Sequence, residues 1–406
     1  MKFHHRAVPI ALSAVLIDAI GFGIVMPVLP RLIVELSDAT LPNAARIGGY
    51  MLVAYAVTQF FAGPVLGTLG DSIGRRRVML FSMLAFSIDY GLMAMAPTIG
   101  WLFVGRMVAG VAGASFGPAN AILADVTPPE KRGAVFGLMG AAFGVGFIIG
   151  PAIGGLLAEF GPRAPFVAAA VLAGLNAIWI LVALPETLAP ENRRPFAWRN
   201  AHVFAAFKPI FHAGNAKWLL LAAFLWQFAH MVYPSTWAFF GEIALGWDER
   251  AIGLSLAASG VTMALVQTLV MGRAIKRFGE AKTVVFGMLA GGSVFAGYVF
   301  ARELWMIGGL IIIGAFQALV WPSINALLSR MTDPSHQGAL QGGMASLNSL
   351  ALILAPLLLT QALAYGSERG FTGGNFLAAT ILAFAALAIV VIKVVPKVST
   401  AEPVAP

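Results

Sequence analysis

The chain has no cysteine among its 406 residues, which excludes disulfides, thiolate nucleophiles and cysteine-based metal sites. Charge is scarce as well. Asp, Glu, Lys and Arg make up 11% of the residues, against roughly a quarter in soluble domains. By contrast, 59% of the residues are hydrophobic and the mean hydropathy is +0.85. A water-soluble fold of this length has too little interior to hide so much apolar surface, so the bilayer is the solvent. Acids are the rarer sign, 18 against 26 bases, for a net charge of +8. The bases lie in short loops between apolar runs rather than in one stripe, so membrane topology explains them and nucleic acid is not an expected partner. No extramembrane domain and no grouping of nucleophile, base and orienter marks an enzyme. No metal, cofactor or prosthetic group is implied.

Apolar runs long enough to cross a bilayer core recur throughout. They predict twelve spans, at residues 8–30, 46–67, 78–97, 100–120, 133–158, 164–185, 217–240, 250–271, 282–300, 303–326, 338–364 and 373–395. The expected fold is an all-α integral membrane protein. It has a six-helix bundle over 1–185, a cytoplasmic linker over 186–216, a second six-helix bundle over 217–397 and a tail over 398–406. The N-terminal segment resembles a signal peptide, but its apolar run continues to Leu29, carries Asp18 and precedes eleven similar runs, so it reads as an uncleaved first span. With the N-terminus inside, nineteen Lys and Arg fall on inside segments and six on outside loops: Arg31, Arg46, Arg163, Arg250, Arg302 and Arg369. The positive-inside rule therefore places both termini in the cytoplasm.

The second half repeats the first at an offset of 205 residues, in loops as well as spans. Asn120-Ala121-Ile122-Leu123 aligns with Asn325-Ala326-Leu327-Leu328, Thr127 with Thr332, Pro129 with Pro334, Pro151 with Pro356, and Gly74 with Gly279. Parallel repeats of this kind place a substrate site at the interface between halves. Loop charges are complementary across the repeat: Asp71 faces Lys276, Arg75 faces Glu280 and Asp125 faces Arg330. The expectation is that the two halves latch through such complements.

Charge inside a span costs about 2.5 to 3.5 kcal/mol even on the lenient insertion scale, so it points to function. Asp18, Asp89 and Arg106 lie within first-half spans, whereas the repeat places Ala223, Val294 and Ile311 at their second-half equivalents. One reading gives the aspartates proton or cationic-substrate duty, with Arg106 as tuning partner; the other is a static ion pair. In the second half the candidates are neutral. Trp226, His230, Tyr233 and Trp237 share one helical face, either lining a substrate cavity with Gln227 or forming an interfacial aromatic belt near Trp237. Gln317, Trp321 and Asn325 form a second polar and aromatic stripe. Glycines at 133, 137, 140, 144 and 155, with Pro151, recur in the fifth span as one smooth face suited to close helix packing.

Five stretches carry a family resemblance. Gly67-Thr-Leu-Gly70-Asp71-Ser-Ile-Gly74-Arg75-Arg76-Arg77 resembles the loop between the second and third spans of the major facilitator superfamily, implying a gating role for Gly67, Asp71, Gly74 and Arg75. Gly146-Phe-Ile-Ile-Gly150-Pro151-Ala-Ile-Gly154-Gly155 resembles a motif of its drug/proton antiporter branch. Leu16-Ile-Asp18-Ala19-Ile-Gly21, Tyr55-Ala56-Val-Thr-Gln59 and Ser87-Ile-Asp89-Tyr90 are similar to the bacterial tetracycline/proton antiporters, across essentially the whole chain. The resemblance implies a proton-driven exporter of small, largely apolar or cationic molecules, a monomer in the bacterial inner membrane. Asp18, Gln59, Asp89 and Arg106 would lie in its central pathway, with Gln267 opposite. Met263 and Gly291 stand where that family has a histidine and an aspartate, so the resemblance carries neither tetracycline itself nor a proton relay through the second half. The rival readings are an uptake carrier or symporter on the same fold, a membrane-embedded enzyme and a channel.

Overall fold

A backbone in lipid has no water to satisfy its polar groups, so apolar runs close their hydrogen bonds internally as helices. The computed structural model describes residues 6–113, 116–198, 216–332 and 337–396, and the regular structure of these residues is helical throughout. The first half comprises α1 (Ala7–Val25), α2 (Leu29–Ser37), α3 (Leu41–Ile73), α4 (Arg75–Ala94), α5 (Ile99–Ala112), α6 (Phe116–Val126), α7 (Arg132–Leu157) and α8 (Ala164–Ala183). The second comprises α9 (Ala216–His230), α10 (Val232–Leu245), α11 (Glu249–Leu269), α12 (Met271–Phe300), α13 (Leu304–Gly314), α14 (Val320–Arg330), α15 (Gln337–Ser367) and α16 (Gly374–Ile389). Lys2, Arg199, Lys208, Pro334, Lys397, most of the linker and the tail at 398–406 lie outside the described residues.

Among the described residues, eleven helical stretches are long and apolar enough to cross a membrane. The expected seventh span is instead two shorter helices, α9 and α10, meeting at Met231. Pro234 has no N–H to donate to the His230 carbonyl, which opens the ladder there. The first span is also shorter than expected. It ends at Val25 in a turn containing Pro27, and the chain resumes as α2 with Pro30 in its first turn, where the missing N–H costs nothing.

Two compact units emerge, one of residues 1–40, 50–203 and 247–257, the other of 41–49, 204–246 and 258–406. The division cuts through α3 and α11. Within the first unit α1 packs on α7 and α8, and α4 on α8. Within the second, the repeat equivalents pair likewise, α9 on α15 and α16, and α12 on α16. Backbone geometry repeats as well: Gly74 and Gly279, 205 residues apart, take positive φ of 106° and 73° where the chain bends sharply between spans, a conformation free of steric cost only for glycine.

Each unit also carries arginine clasps near helix ends. In the second, Arg46 grips Glu368 through both terminal nitrogens, at 2.5 and 2.9 Å, and its Nε donates to Gln361. Hydrogen bonding from Arg46 to Glu368, with the nearby guanidinium charges, holds the Glu368 carboxyl below its ordinary pKa. In the first, Arg250 pairs with Glu159 and Arg31 with Glu249, both at 3.0 Å, while Arg163 reaches Glu35 at 3.2 Å.

Candidate functional site

Four of the residues that the sequence singled out meet inside the first unit. Asp89 on α4 is completely buried, and its Oδ2 accepts from Arg106 on α5 at 3.0 Å. Arg106 also donates to the Met93 sulfur at 2.8 Å. The second carboxylate oxygen, Asp89 Oδ1, is buried with no hydrogen-bond partner among the described residues. Gly105 permits this approach, because a Cβ there would lie 2.7 Å from that oxygen. On α3, Gln59 donates to the Tyr55 hydroxyl at 3.1 Å and to the Gly113 carbonyl at 3.0 Å. Gly110 and Gly113 give α5 its close seat against Tyr55, Thr58 and Gln59, whereas Gly117 faces open space. Asp18 on α1 is half-buried, and its charge, with those of Asp89 and Arg106, reaches both the Tyr55 and Tyr90 hydroxyls. Two acids, one base and two phenols thus share one low-dielectric interior where each charge counts for far more than in water.

Tyr55 and Tyr90 were not among the sequence-selected site residues. The available signal was positional: Tyr55 lies one turn before Gln59, and Tyr90 beside Asp89. Tyr90 packs against Gly21 of α1 and stacks on Phe86.

The second unit answers with rings. Gln317 is buried and donates to the Tyr233 hydroxyl at 3.1 Å. His230 meets Tyr233 edge to face at a centroid distance of 5.3 Å, and Tyr233 also contacts Phe295, Tyr298 and Phe376. Trp237 is 1% exposed, packed against Tyr298, Phe240 and Phe376, so it belongs to neither a cavity wall nor an interfacial belt. Gly291 leaves room for the Trp226 ring and for Gln317, whose Cγ would lie 2.7 Å from a Cβ at that position. Gln227, His230, Trp321 and Asn325 are half-buried, and Gln267 is exposed.

The fifth-span glycines do not form one face of equal use. Gly146, Gly150 and Gly154 lie against successive carbonyls of α1, those of Leu16, Ile20 and Ile24. Gly155, with Pro151, receives Gly253 at the start of α11. A Cβ at Gly133, Gly137, Gly140 or Gly144 would meet nothing within 4 Å among the described residues. A glycine every fourth residue brings two backbones together where dispersion and weak Cα–H···O contacts replace the hydrophobic drive.

The loop after α3 is held by ion pairs. Arg75 binds Asp71 at 2.5 Å and approaches Asp125 at 3.6 Å, while Glu280 binds Arg330 at 3.1 Å. Arg75 with Asp125, and Glu280 with Arg330, therefore pair inside their own units. Glu186, which the sequence reading missed, accepts the backbone N–H of Arg75 at 2.9 Å and crowds Gly74. Its place at the edge of a polar linker disguised it. Gly67 faces open space.

The model of the Major Facilitator Superfamily matches residues 11–243 and 233–405. The chain belongs to that superfamily. It is 40% identical to the class C tetracycline resistance protein of Escherichia coli, over 88% of this chain and 89% of that one. It is 38% identical to the class G protein of Vibrio anguillarum, over 86% and 88%. The fold is that of solved carriers such as the human organic anion transporter MFSD10 (TETRAN), with a TM-score of 0.70 at 22% identity over 95% of this chain and 99% of that one. The protein is thus a multi-pass membrane transporter for a small molecule.

Proposed function

We propose that the protein is a proton-coupled efflux antiporter of the bacterial inner membrane, exporting small, largely apolar or cationic compounds of the tetracycline-like kind by alternating access. Twelve spans, with α9 and α10 together forming the seventh, place both termini in the cytoplasm, consistent with the arginine distribution. The working bodies are residues 1–185 and 217–397, joined by 186–216, and the protein acts as a monomer.

The observation that carries this reading is the buried Asp89–Arg106 pair with an unsatisfied carboxylate oxygen, beside half-buried Asp18. A carboxylate held by a guanidinium sheds its proton, and the same carboxylate parted from it in apolar surroundings takes one up. Rocking between two access states that make and break the pair therefore couples proton entry to substrate exit. Asp18 and Asp89 carry the proton or a cationic substrate, Arg106 tunes them, and Gln59 with Tyr55 supplies the neutral polar wall. In the second half, Gln227, His230, Tyr233, Gln267, Gln317, Trp321 and Asn325 form the aromatic and amide side of the substrate path. Trp226 and Gln317 take the space beside Gly291 that an aspartate would need, which supports a substrate held by rings and amides there.

Everted membrane vesicles test the reading. Wild type is expected to accumulate a tetracycline-like substrate and to release protons in exchange, with Asp18→Asn or Asp89→Asn abolishing both at normal membrane abundance. Full exchange in both variants overturns the proton assignment. Accumulation in right-side-out vesicles driven by an inward proton gradient overturns export.

A further inference from the structure

A recess of about 320 Å³ at the start of α4 and the end of α8 adjoins the loop after α3 and includes none of the buried charge site. It is lined by Arg76, Arg77, Leu80, Leu181, Glu186 and Arg193. Three arginines and one glutamate thus line it, and one oxygen of that carboxylate is already engaged. Glu186 Oε1 accepts the backbone N–H groups of Arg75, Thr187 and Leu188 at 2.9 to 3.2 Å. Arg76 donates to the Leu181 carbonyl, which fixes its side chain across the two helices. Arg193 Nε is buried with no acceptor among the described residues. Such an orphaned charged donor is costly unless an anion completes it.

The recess also has a distinctive address. From it, two exposed apolar stripes run along neighbouring helices: Phe81, Leu84 and Ile88 on α4, and Val171, Leu175, Ile178 and Val182 on α8, the last 79% exposed. Stripes of this kind on a membrane-embedded helix face acyl chains. A basic recess at the head of two acyl-facing stripes has the amphipathic layout of a phospholipid, with phosphate in the recess and chains along the stripes. Free inorganic phosphate would use the guanidiniums but gain nothing from the stripes.

We propose that this recess binds the headgroup of an anionic phospholipid, and that the bound lipid braces the start of α4 against α8. Guanidiniums from Arg77 and Arg193 hold the phosphate, with Arg76 closing the side next to Leu181.

The test uses the purified full-length protein in detergent, with lipid retention read by native mass spectrometry and by thermal unfolding. Wild type is expected to retain phosphatidylglycerol in preference to phosphatidylcholine and to unfold at a higher temperature with it. Arg77→Gln with Arg193→Gln weakens that binding about tenfold, whereas Lys276→Gln with Arg277→Gln, the same charge change at exposed positions of α12, leaves it unaltered. Arg77→Lys with Arg193→Lys restores most of the binding, which separates lost charge from lost fold. Equal phosphatidylglycerol retention in both Gln double variants overturns the site, as does an equal thermal shift from phosphatidylcholine. Full displacement of the lipid by millimolar inorganic phosphate overturns the lipid assignment and leaves a simple anion site.

Discussion

The two halves share a register, a set of helix pairings and even a pair of positive-φ glycines, yet their interiors are chemically unlike. The first buries an aspartate and an arginine in contact. At the repeat-equivalent positions the second has Val294 and Ile311, and its interior is organised around Tyr233, Trp237, Tyr298 and Phe376. Backbone architecture is thus maintained by small residues and helix ends, while side chains are free to diverge. A charged half suits a group that must change its proton count. An aromatic half suits a ligand held by dispersion and ring electrostatics, which tolerates several shapes. The division of labour proposed above, energy coupling in one half and substrate accommodation in the other, rests on this asymmetry.

Breaking the charged half should have the largest effect. Arg106→Gln leaves Asp89 buried beside an uncompensated oxygen, and truncating one partner of a buried pair costs about 3 to 5 kcal/mol. Asp89→Asn with Arg106→Gln removes both charges and should recover most of that stability without recovering proton exchange. Unfolding in detergent, monitored alongside vesicle transport, separates the two quantities. If the double variant is no more stable than Arg106→Gln alone, the pair is not the energetic unit described here. In the second half, Tyr233→Phe removes a neutral acceptor from the buried Gln317 amide, at about 1 to 3 kcal/mol, so the same assay measures the contrast directly.

A smaller effect separates two regions of a single helix. A methyl at Gly150 would lie 2.6 Å from the Ile20 carbonyl oxygen and 3.0 Å from Gly23 Cα. Both are backbone atoms that cannot swing aside, so Gly150→Ala should cost about 1 to 3 kcal/mol. Gly137→Ala meets open space and should be neutral or stabilising by up to about 1 kcal/mol through helix propensity. Equal thermal shifts for the two would mean that the α1–α7 seam is not set by the glycine ladder.

Much of this was legible in the chain. Apolar run length located the helices, because a bilayer sets their length, and the offset of 205 anticipated the shared bend at Gly74 and Gly279. Asp18, Asp89, Arg106 and Gln59 stood out because charge and amide are rare in lipid. What stayed hidden depended on helix rotation and on partners distant in sequence. Glycine spacing in α7 could not reveal that Gly146, Gly150 and Gly154 meet α1 while Gly133 to Gly144 do not. Trp237 looked amphipathic by type, but its burial is set by Tyr298 and Phe376 from other helices. Pro234 was visible as a residue, yet its effect on the ladder at Met231 was masked by a continuous apolar run.

Loop charges give the finest comparison, and the smallest expected effect. The sequence alone favoured pairs across the halves, Arg75 with Glu280 and Asp125 with Arg330; the structure pairs Arg75 with Asp125 and Glu280 with Arg330. Arg330 is 62% exposed, so its coupling to Glu280 should be about 0.2 to 1 kcal/mol. Reversing one charge, as in Glu280→Arg, leaves two like charges in one unit, and adding Arg330→Glu restores the attraction. Combining Glu280→Arg with Arg75→Glu restores only a contact between halves. Stability recovered by the first combination but not the second confirms pairing within each unit, because the second places like charges together in both. The opposite outcome would restore the latch between halves and show that each unit's own ion pair is incidental.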